Sequence, residues 1–134
     1  MNQRIFIDSD VILDVALARQ PFVVASREVL AQCEQGGIMG CISSNSVANI
    51  YYILRKMGGD VKARLFIQQI LTYLLVIPSD HAVISSALVS KFSDFEDAIQ
   101  YFSAVNFGCQ MIVTRNLKDY QVAEIKVVLP DIFI

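Results

Sequence analysis

The sequence predicts an α/β protein, a three-layer α/β/α fold around a mostly parallel sheet of five strands. Two observations support this prediction: short β-type runs alternate with amphipathic helical stretches, and glycine or proline ends several of them. A third is composition, because 54% hydrophobic and 18% charged residues favour a packed core over disorder. With no visible linker or repeat, we expect residues 1–134 to form a single domain.

The first half of the chain is expected to supply two strands and the helices that follow them. Two of these helices have a recognisable end, since Gly36-Gly37 and Gly58-Gly59 are typical of helix termination. Serine at 43 or 44 and aspartate at 60 are suited to cap the two later helices. The predicted elements are strand 4–8, helix 26–35, strand 38–43 and helices 45–56 and 61–74.

The second half repeats this alternation. Pro78 ends the third strand and Gly108 ends the last long helix. The predicted elements are strand 74–78, helices 81–91 and 95–108, strand 110–114 and strand 125–130. Helices on both faces of the sheet follow from the parallel arrangement, which requires crossover connections.

Several classes of site are excluded by composition. Three widely spaced cysteines without a CxxC pair predict buried thiols and not a disulfide framework or zinc site. A single histidine, His81, excludes a histidine-rich metal centre. The net charge of −2 gives no global attraction for nucleic acid.

The apolar character of the chain does not indicate a membrane protein. The longest apolar run, "YLLVI", is far too short to span a bilayer, and we see no signal peptide. We therefore expect a cytoplasmic protein with no membrane partner. The high mean hydropathy favours association with a partner or a second copy.

The stretch "IFIDSDVILD" places Asp8, Asp10 and Asp14 in an otherwise apolar segment. A buried carboxylate is costly unless it is paired, hydrogen-bonded or bound to a cation. Asp8 or Asp10 could cap a helix that begins near Val11. Asp14 is predicted to be exposed or half-exposed on that helix.

Other acids recur where strands or loops end. Asp94 and Asp97 begin a helix, and Asn116 and Asp119 follow the fourth strand. If strands one and four are neighbours, Asp8, Asp97 and Asn116 meet at the carboxyl edge of the sheet, where such folds bind ligands. Oxygen donors without histidine or cysteine suit Mg²⁺ or Mn²⁺. The alternatives are local: Asp94 and Glu96 favour the helix dipole, and Asp119 suits a solvated turn.

Four stretches, "FIDSDVILD", "ISSNSVANIYYILRK", "FEDAIQYFSA" and "MIVTRNLKDY", resemble the PIN domain in order and spacing. The resemblance runs from residue 4 to about residue 130. It is to the bacterial VapC-like branch, the toxin ribonucleases of toxin–antitoxin pairs. It implies a Mg²⁺- or Mn²⁺-dependent endoribonuclease, a homodimer and an antitoxin partner.

The resemblance also implies roles for individual residues. The metal ligands would be Asp8, Asp97 and Asp94; the other catalytic residues Asn116 and Asp119; and the supporting residues Ser9, Asp10, Asn49 and Thr114. Basic residues near these positions would bind RNA: Arg55, Lys56, Lys62, Arg64, Arg115 and Lys118. The departure is Asn49, because the family usually has glutamate there and asparagine contributes no charge.

Two alternatives remain open from the sequence. The first is a PIN domain that has lost catalysis and binds RNA or protein, which Asn49 suggests. The second is a phosphatase of the haloacid-dehalogenase type, because "DSDV" resembles its opening motif. Asp10→Asn separates the enzymes, since it would abolish a phosphatase and spare a PIN nuclease.

Overall fold

A computed structural model describes residues 3–133. Five strands form one sheet in which every hydrogen-bonded pair is parallel. The strands are β1 (Gln3–Ile7), β2 (Ile38–Ser43), β3 (Leu74–Ile77), β4 (Met111–Val113) and β5 (Lys126–Val128). Their spatial order is β3-β2-β1-β4-β5. Strand β1 therefore lies at the centre with β4 beside it, which is the condition for Asp8 and Asn116 to lie at the same edge of the sheet.

Helices cover both faces of this sheet. They are α1 (Ser9–Ala16), α2 (Val23–Glu34), α3 (Ser44–Gly58), α4 (Asp60–Ile70), α5 (His81–Leu88), α6 (Phe95–Phe107) and α7 (Pro130–Phe133). A 3₁₀ turn, Leu117–Tyr120, lies between β4 and β5. The predicted three-layer α/β/α architecture is therefore confirmed.

The alternation of side chains along β1 divides the core into two parts. Ile5 and Ile7 pack on one face with residues of α1, α2 and α3, whereas Phe6 packs on the other face with residues of α6. All three side chains are completely buried. Such continuous burial is expected for a central parallel strand and explains why "RIFID" lacks a polar face.

Helix boundaries differ from the predictions where periodicity alone could not separate neighbouring elements. Helix α4 ends at Ile70 and not at 74, because Leu74 instead pairs with Gly40 at the start of β3. Helix α2 begins three residues earlier than predicted, at Val23. Helix α7 and the 3₁₀ turn had no counterpart among the predicted elements.

The three cysteines are buried free thiols, as their spacing predicted. Within residues 3–133, the helices fall short of the length and apolar character needed to cross a bilayer.

Candidate active site

Asp8 lies directly after β1, and its carboxylate is both a helix cap and the centre of the candidate site. It is the N-cap residue of α1 and accepts a hydrogen bond from the Ser9 amide at 2.7 Å. Thr114 Oγ1 and the Tyr120 hydroxyl each donate to Asp8 Oδ2 at 2.9 Å. Burial nevertheless raises the pKa of Asp8, although these three hydrogen bonds oppose the rise.

Asp10 connects α1 to the loop after β4. Its Oδ2 accepts from Asn116 Nδ2 at 2.8 Å and from the Arg115 amide at 3.3 Å, and Thr114 Oγ1, whose proton is shared with Asp8, lies 3.3 Å from the same oxygen. Its Oδ1 is buried and has no hydrogen-bond partner among the described residues. Burial, and then the charge of Asp8, raise the pKa of Asp10 to about 7. A proton or a cation would relieve both effects.

The first turn of α6 brings further carboxylates to the same edge of the sheet. Asp94 caps the helix by accepting from the Asp97 amide at 3.0 Å. The pKa of Asp97 is raised to about 7, by burial first and then by the charges of Asp94, Asp119 and Asp8. The charges of Asp8 and Asp119 therefore act on Asp97, which lies on the same side of the sheet edge as they do.

Glu96 is a residue that the sequence interpretation did not assign to the site. Burial and the charges of Asp94 and Asp8 raise its pKa. Its Oε1 is 3.5 Å from Nδ2 of Asn49, so the two helices that carry them, α6 and α3, meet here. The position of Glu96 beside Asp97 in "DFEDA" is the available signal in the sequence, where it is also typical of a residue that favours the helix dipole.

Tyr120 is the second residue that sequence reasoning missed. It is 3% exposed, and its hydroxyl donates to Asp8 from the end of the 3₁₀ turn that contains Asp119. Burial and the charge of Asp8 both raise the pKa of Tyr120, so it remains a donor at neutral pH. The motif "KDY" contained this residue, but its contact with Asp8 spans 112 positions.

The prediction that Asp14 would be exposed or half-exposed is wrong. Its side chain is completely buried and accepts hydrogen bonds from Arg115 and Ser26. Asp14 lies on the face of α1 that packs toward α2, so its carboxylate requires internal partners.

The six predicted RNA-binding residues differ in their availability. Lys118 is exposed in the 3₁₀ turn beside Asp119, whereas the side chain of Arg115 is only 20% exposed. The four basic residues on α3 and α4 are all exposed. One of them, Arg64, is already paired with a carboxylate, because its Nε lies 2.9 Å from Oδ1 of Asp60. Arg55 and Lys56, in the last turn of α3, lie about 9 Å or more along the helix axis from Asn49.

The donor chemistry of this edge suits Mg²⁺ or Mn²⁺. It offers carboxylate and amide oxygens, together with a buried and unpartnered oxygen on Asp10. Within the described part of the chain, no three Asp, Glu, His or Cys side chains converge closely enough to hold one ion. The donors fit such a cation in type and charge.

Comparison with known proteins identifies a family and a ribonuclease that is similar in sequence. The family model described as "PIN domain" matches residues 4–118. Ribonuclease VapC1 of Aquifex aeolicus (strain VF5) is 26% identical over 124 residues, which cover 89% of this chain and 85% of that protein.

Solved structures with a similar fold include DNA-bound VapBC from Salmonella typhimurium, with a TM-score of 0.73 and 15% identity over 97% of this chain and 99% of that one. VapBC2 from Rickettsia felis, bound to a promoter DNA fragment, has a TM-score of 0.72 and 12% sequence identity, and the match covers 95% of this chain and 98% of that one. At these identities the structural likeness shows the fold alone. The family model spans most of the sequence and includes Asp8, Asp97 and Asn116, and this chain therefore belongs to the PIN domain family.

Proposed function

We propose that this protein is a metal-dependent endoribonuclease, a single cytoplasmic domain that acts as the toxin of a bacterial toxin–antitoxin pair. The observation that carries the proposal is the buried carboxylate of Asp8 at the carboxyl end of β1, held by Thr114 and Tyr120, with Asp97 and Asp119 near enough for their charges to interact with it. The relative named Ribonuclease VapC1, which matches over most of both chains, supports the activity.

The residues that would hold Mg²⁺ or Mn²⁺ are Asp8 and Asp97, with Asp94 beside them. A bound ion lowers the pKa of a water molecule and offsets charge on the phosphate oxygens. Asp94 already accepts a hydrogen bond as the cap of α6, so Asp119 is the better proton acceptor. A cation bound here would compete with the proton for Asp97 and would lower the pKa that burial and the neighbouring carboxylates raise.

The supporting residues keep these acids in place. Thr114 and Tyr120 donate to Oδ2 of Asp8, whereas the Ser9 amide donates to Oδ1. Asp10 holds the side-chain amide of Asn116, which we propose orients the attacking water or the substrate. Orientation of this kind can supply a large part of an enzymatic rate enhancement.

The surface offers regions for RNA and for protein partners. The exposed lysines and arginines of α3, α4 and the 3₁₀ turn are suited to phosphate contacts. Exposed apolar side chains on the same helix pair support a homodimer face or an antitoxin groove. A cavity of about 410 Å³ lies between the end of α1 and this pair. A toxin–antitoxin complex from Klebsiella pneumoniae has a similar fold, which supports an antitoxin partner.

A second candidate is a PIN domain without catalysis that binds RNA or protein. It is favoured by Asn49, which stands where the family usually has glutamate, and by the spread of the carboxylates within residues 3–133. The phosphatase alternative is not supported, because the family match covers both the "DSDV" motif and the loop after β4.

The test is cleavage of a mixed RNA pool by the purified protein in Mn²⁺, Mg²⁺ or EDTA. We expect metal-dependent cleavage that is lost in Asp8→Asn and Asp97→Asn. Glu28→Gln, which alters an exposed carboxylate on α2, is the matched control and should cleave normally. Cleavage that is equal in wild type and both site variants, with all proteins folded, would support the binding-only candidate.

A further inference from the structure

A buried ion pair links α1 to the loop that carries Thr114 and Asn116. Arg115 Nε donates to Asp14 Oδ2 at 2.6 Å, and the Asp14 side chain is completely buried. Ser26 Oγ, on α2, donates to the same oxygen at 3.2 Å.

The arginine is held on a second side by an aromatic ring. Its guanidinium carbon is 4.0 Å from the ring centre of Phe22, within the range of a cation–π contact. Arg115 is therefore fixed between a carboxylate of α1 and the residue that precedes α2. A planar guanidinium held by an ion pair and a ring has little rotational freedom.

The position of Arg115 in the chain connects the Asp14–Arg115 ion pair to the candidate site. It stands between Thr114, which donates to Asp8, and Asn116, which donates to Asp10. Its own backbone amide also donates to Asp10. Fixing the Arg115 side chain therefore fixes the backbone from which both supporting residues reach the site.

Asp14 itself lies too far along α1 to act on substrate directly. It is six residues after Asp8, about 9 Å along the helix axis. A buried carboxylate is also a costly way to fill a core, since an apolar side chain of similar volume is often at least as stabilising. A role in specifying the loop conformation explains why such a group is buried here.

We propose that Asp14 is a positioning residue that, through Arg115, holds the 114–116 loop in the conformation that orients Asp8 and Asp10. This inference rests on the proposed nuclease function. It assigns Arg115 to loop positioning, whereas a direct contact with RNA is the competing role.

The experiment compares Asp14→Asn, Arg115→Gln and the double variant with wild type. Val29→Ala, which truncates a buried core residue of α2, serves as a control for loss of stability. Hydrogen exchange of the Arg115 and Asn116 backbone amides is measured in metal-free protein. Cleavage of RNA is measured as kcat and KM at a temperature where circular dichroism shows every variant folded.

We expect both single variants to lose exchange protection in the loop and to lower kcat by about 10- to 100-fold, with KM nearly unchanged. The double variant should be no worse than either single one, because the two residues act as a unit. Val29→Ala should lose stability but retain loop protection and kcat.

Two results would overturn the inference. One is loop protection and kcat in Asp14→Asn that equal those of Val29→Ala. The other is a raised KM in Arg115→Gln with a normal Asp14→Asn, which would mean that Arg115 contacts RNA. A wild-type protein that cleaves no RNA would refute the proposed function, and the exchange measurement would still decide whether Asp14 holds the loop.

Discussion

Replacement of Asp10 by asparagine should make the protein more stable at neutral pH while sparing its cleavage activity. Asp10 Oδ2 accepts from Asn116, and an asparagine oxygen can accept the same bond. Asp10 Oδ1 is buried and has no hydrogen-bond partner among residues 3–133, so no hydrogen bond stabilises the negative charge on this oxygen when the carboxylate is ionised. The substituted side chain would retain the acceptor and lose the buried charge.

The magnitude follows from the pKa of Asp10, which burial and Asp8 raise from 3.8 to about 7. The folded protein then binds a proton more tightly than the unfolded chain, so wild type loses stability as the pH rises through that interval. Each pKa unit is worth about 1.4 kcal/mol, which gives an upper limit of about 4 kcal/mol. Because Asp10 is partly exposed, we expect about 2 to 4 kcal/mol.

The assay is urea unfolding in EDTA, followed by circular dichroism in steps between about pH 4 and pH 8. The free energy of unfolding of Asp10→Asn relative to wild type should increase between about pH 4 and pH 7 and level off above that. Glu28→Gln, the exposed control, should show no such trend. A difference that stays constant with pH, or becomes less favourable to the variant, would refute the electrostatic reasoning. Loss of RNA cleavage in Asp10→Asn would refute the view that it only supports Asn116.

Three further predictions concern packing and hydrogen bonding. Gly40→Ala should lower the free energy of unfolding by about 1 to 3 kcal/mol in chemical denaturation, because its Cβ would lie 2.5 Å from Cys33 Sγ. Cys33→Ala in the same protein should restore part of this loss, and no restoration would contradict the clash. Tyr120→Phe removes a donor to Asp8 and should raise the pKa of that acid, so the acidic limb of the cleavage profile should move to higher pH. An unmoved limb would show that the hydroxyl does not tune Asp8. Gln100→Ala should cost about 2 to 4 kcal/mol in thermal or urea unfolding, because its buried amide bonds two buried serine hydroxyls; a loss below about 1 kcal/mol would show that this network contributes little.

Local patterns in the sequence predicted the elements that depend on neighbouring residues. Runs of β-branched and apolar residues located all five strands within a few positions. Capping is equally local: Ser43 accepts from the Ser46 amide, three residues away, as predicted for the start of α3. The carboxyl end of β1 was located by the single acid that ends an apolar run, and Asp8 is found there.

Asp14 shows where local patterns are insufficient. An acid in the middle of a helix is usually exposed, but its partner Arg115 lies 101 positions away, and only the packing of the β4 loop against α1 brings them together. The contacts of Tyr120 with Asp8, and of Asn49 with Glu96, likewise connect elements that are distant in sequence.

The sequence alone therefore determined the order of strands and helices, and which strand ends carry carboxylates, because these depend on local periodicity, turns and caps. The tertiary structure alone decided which of those carboxylates share a field, which are buried, and what holds them. Burial and charge–charge energies depend on distances in space, and those distances are set only when β1 is enclosed between β2 and β4.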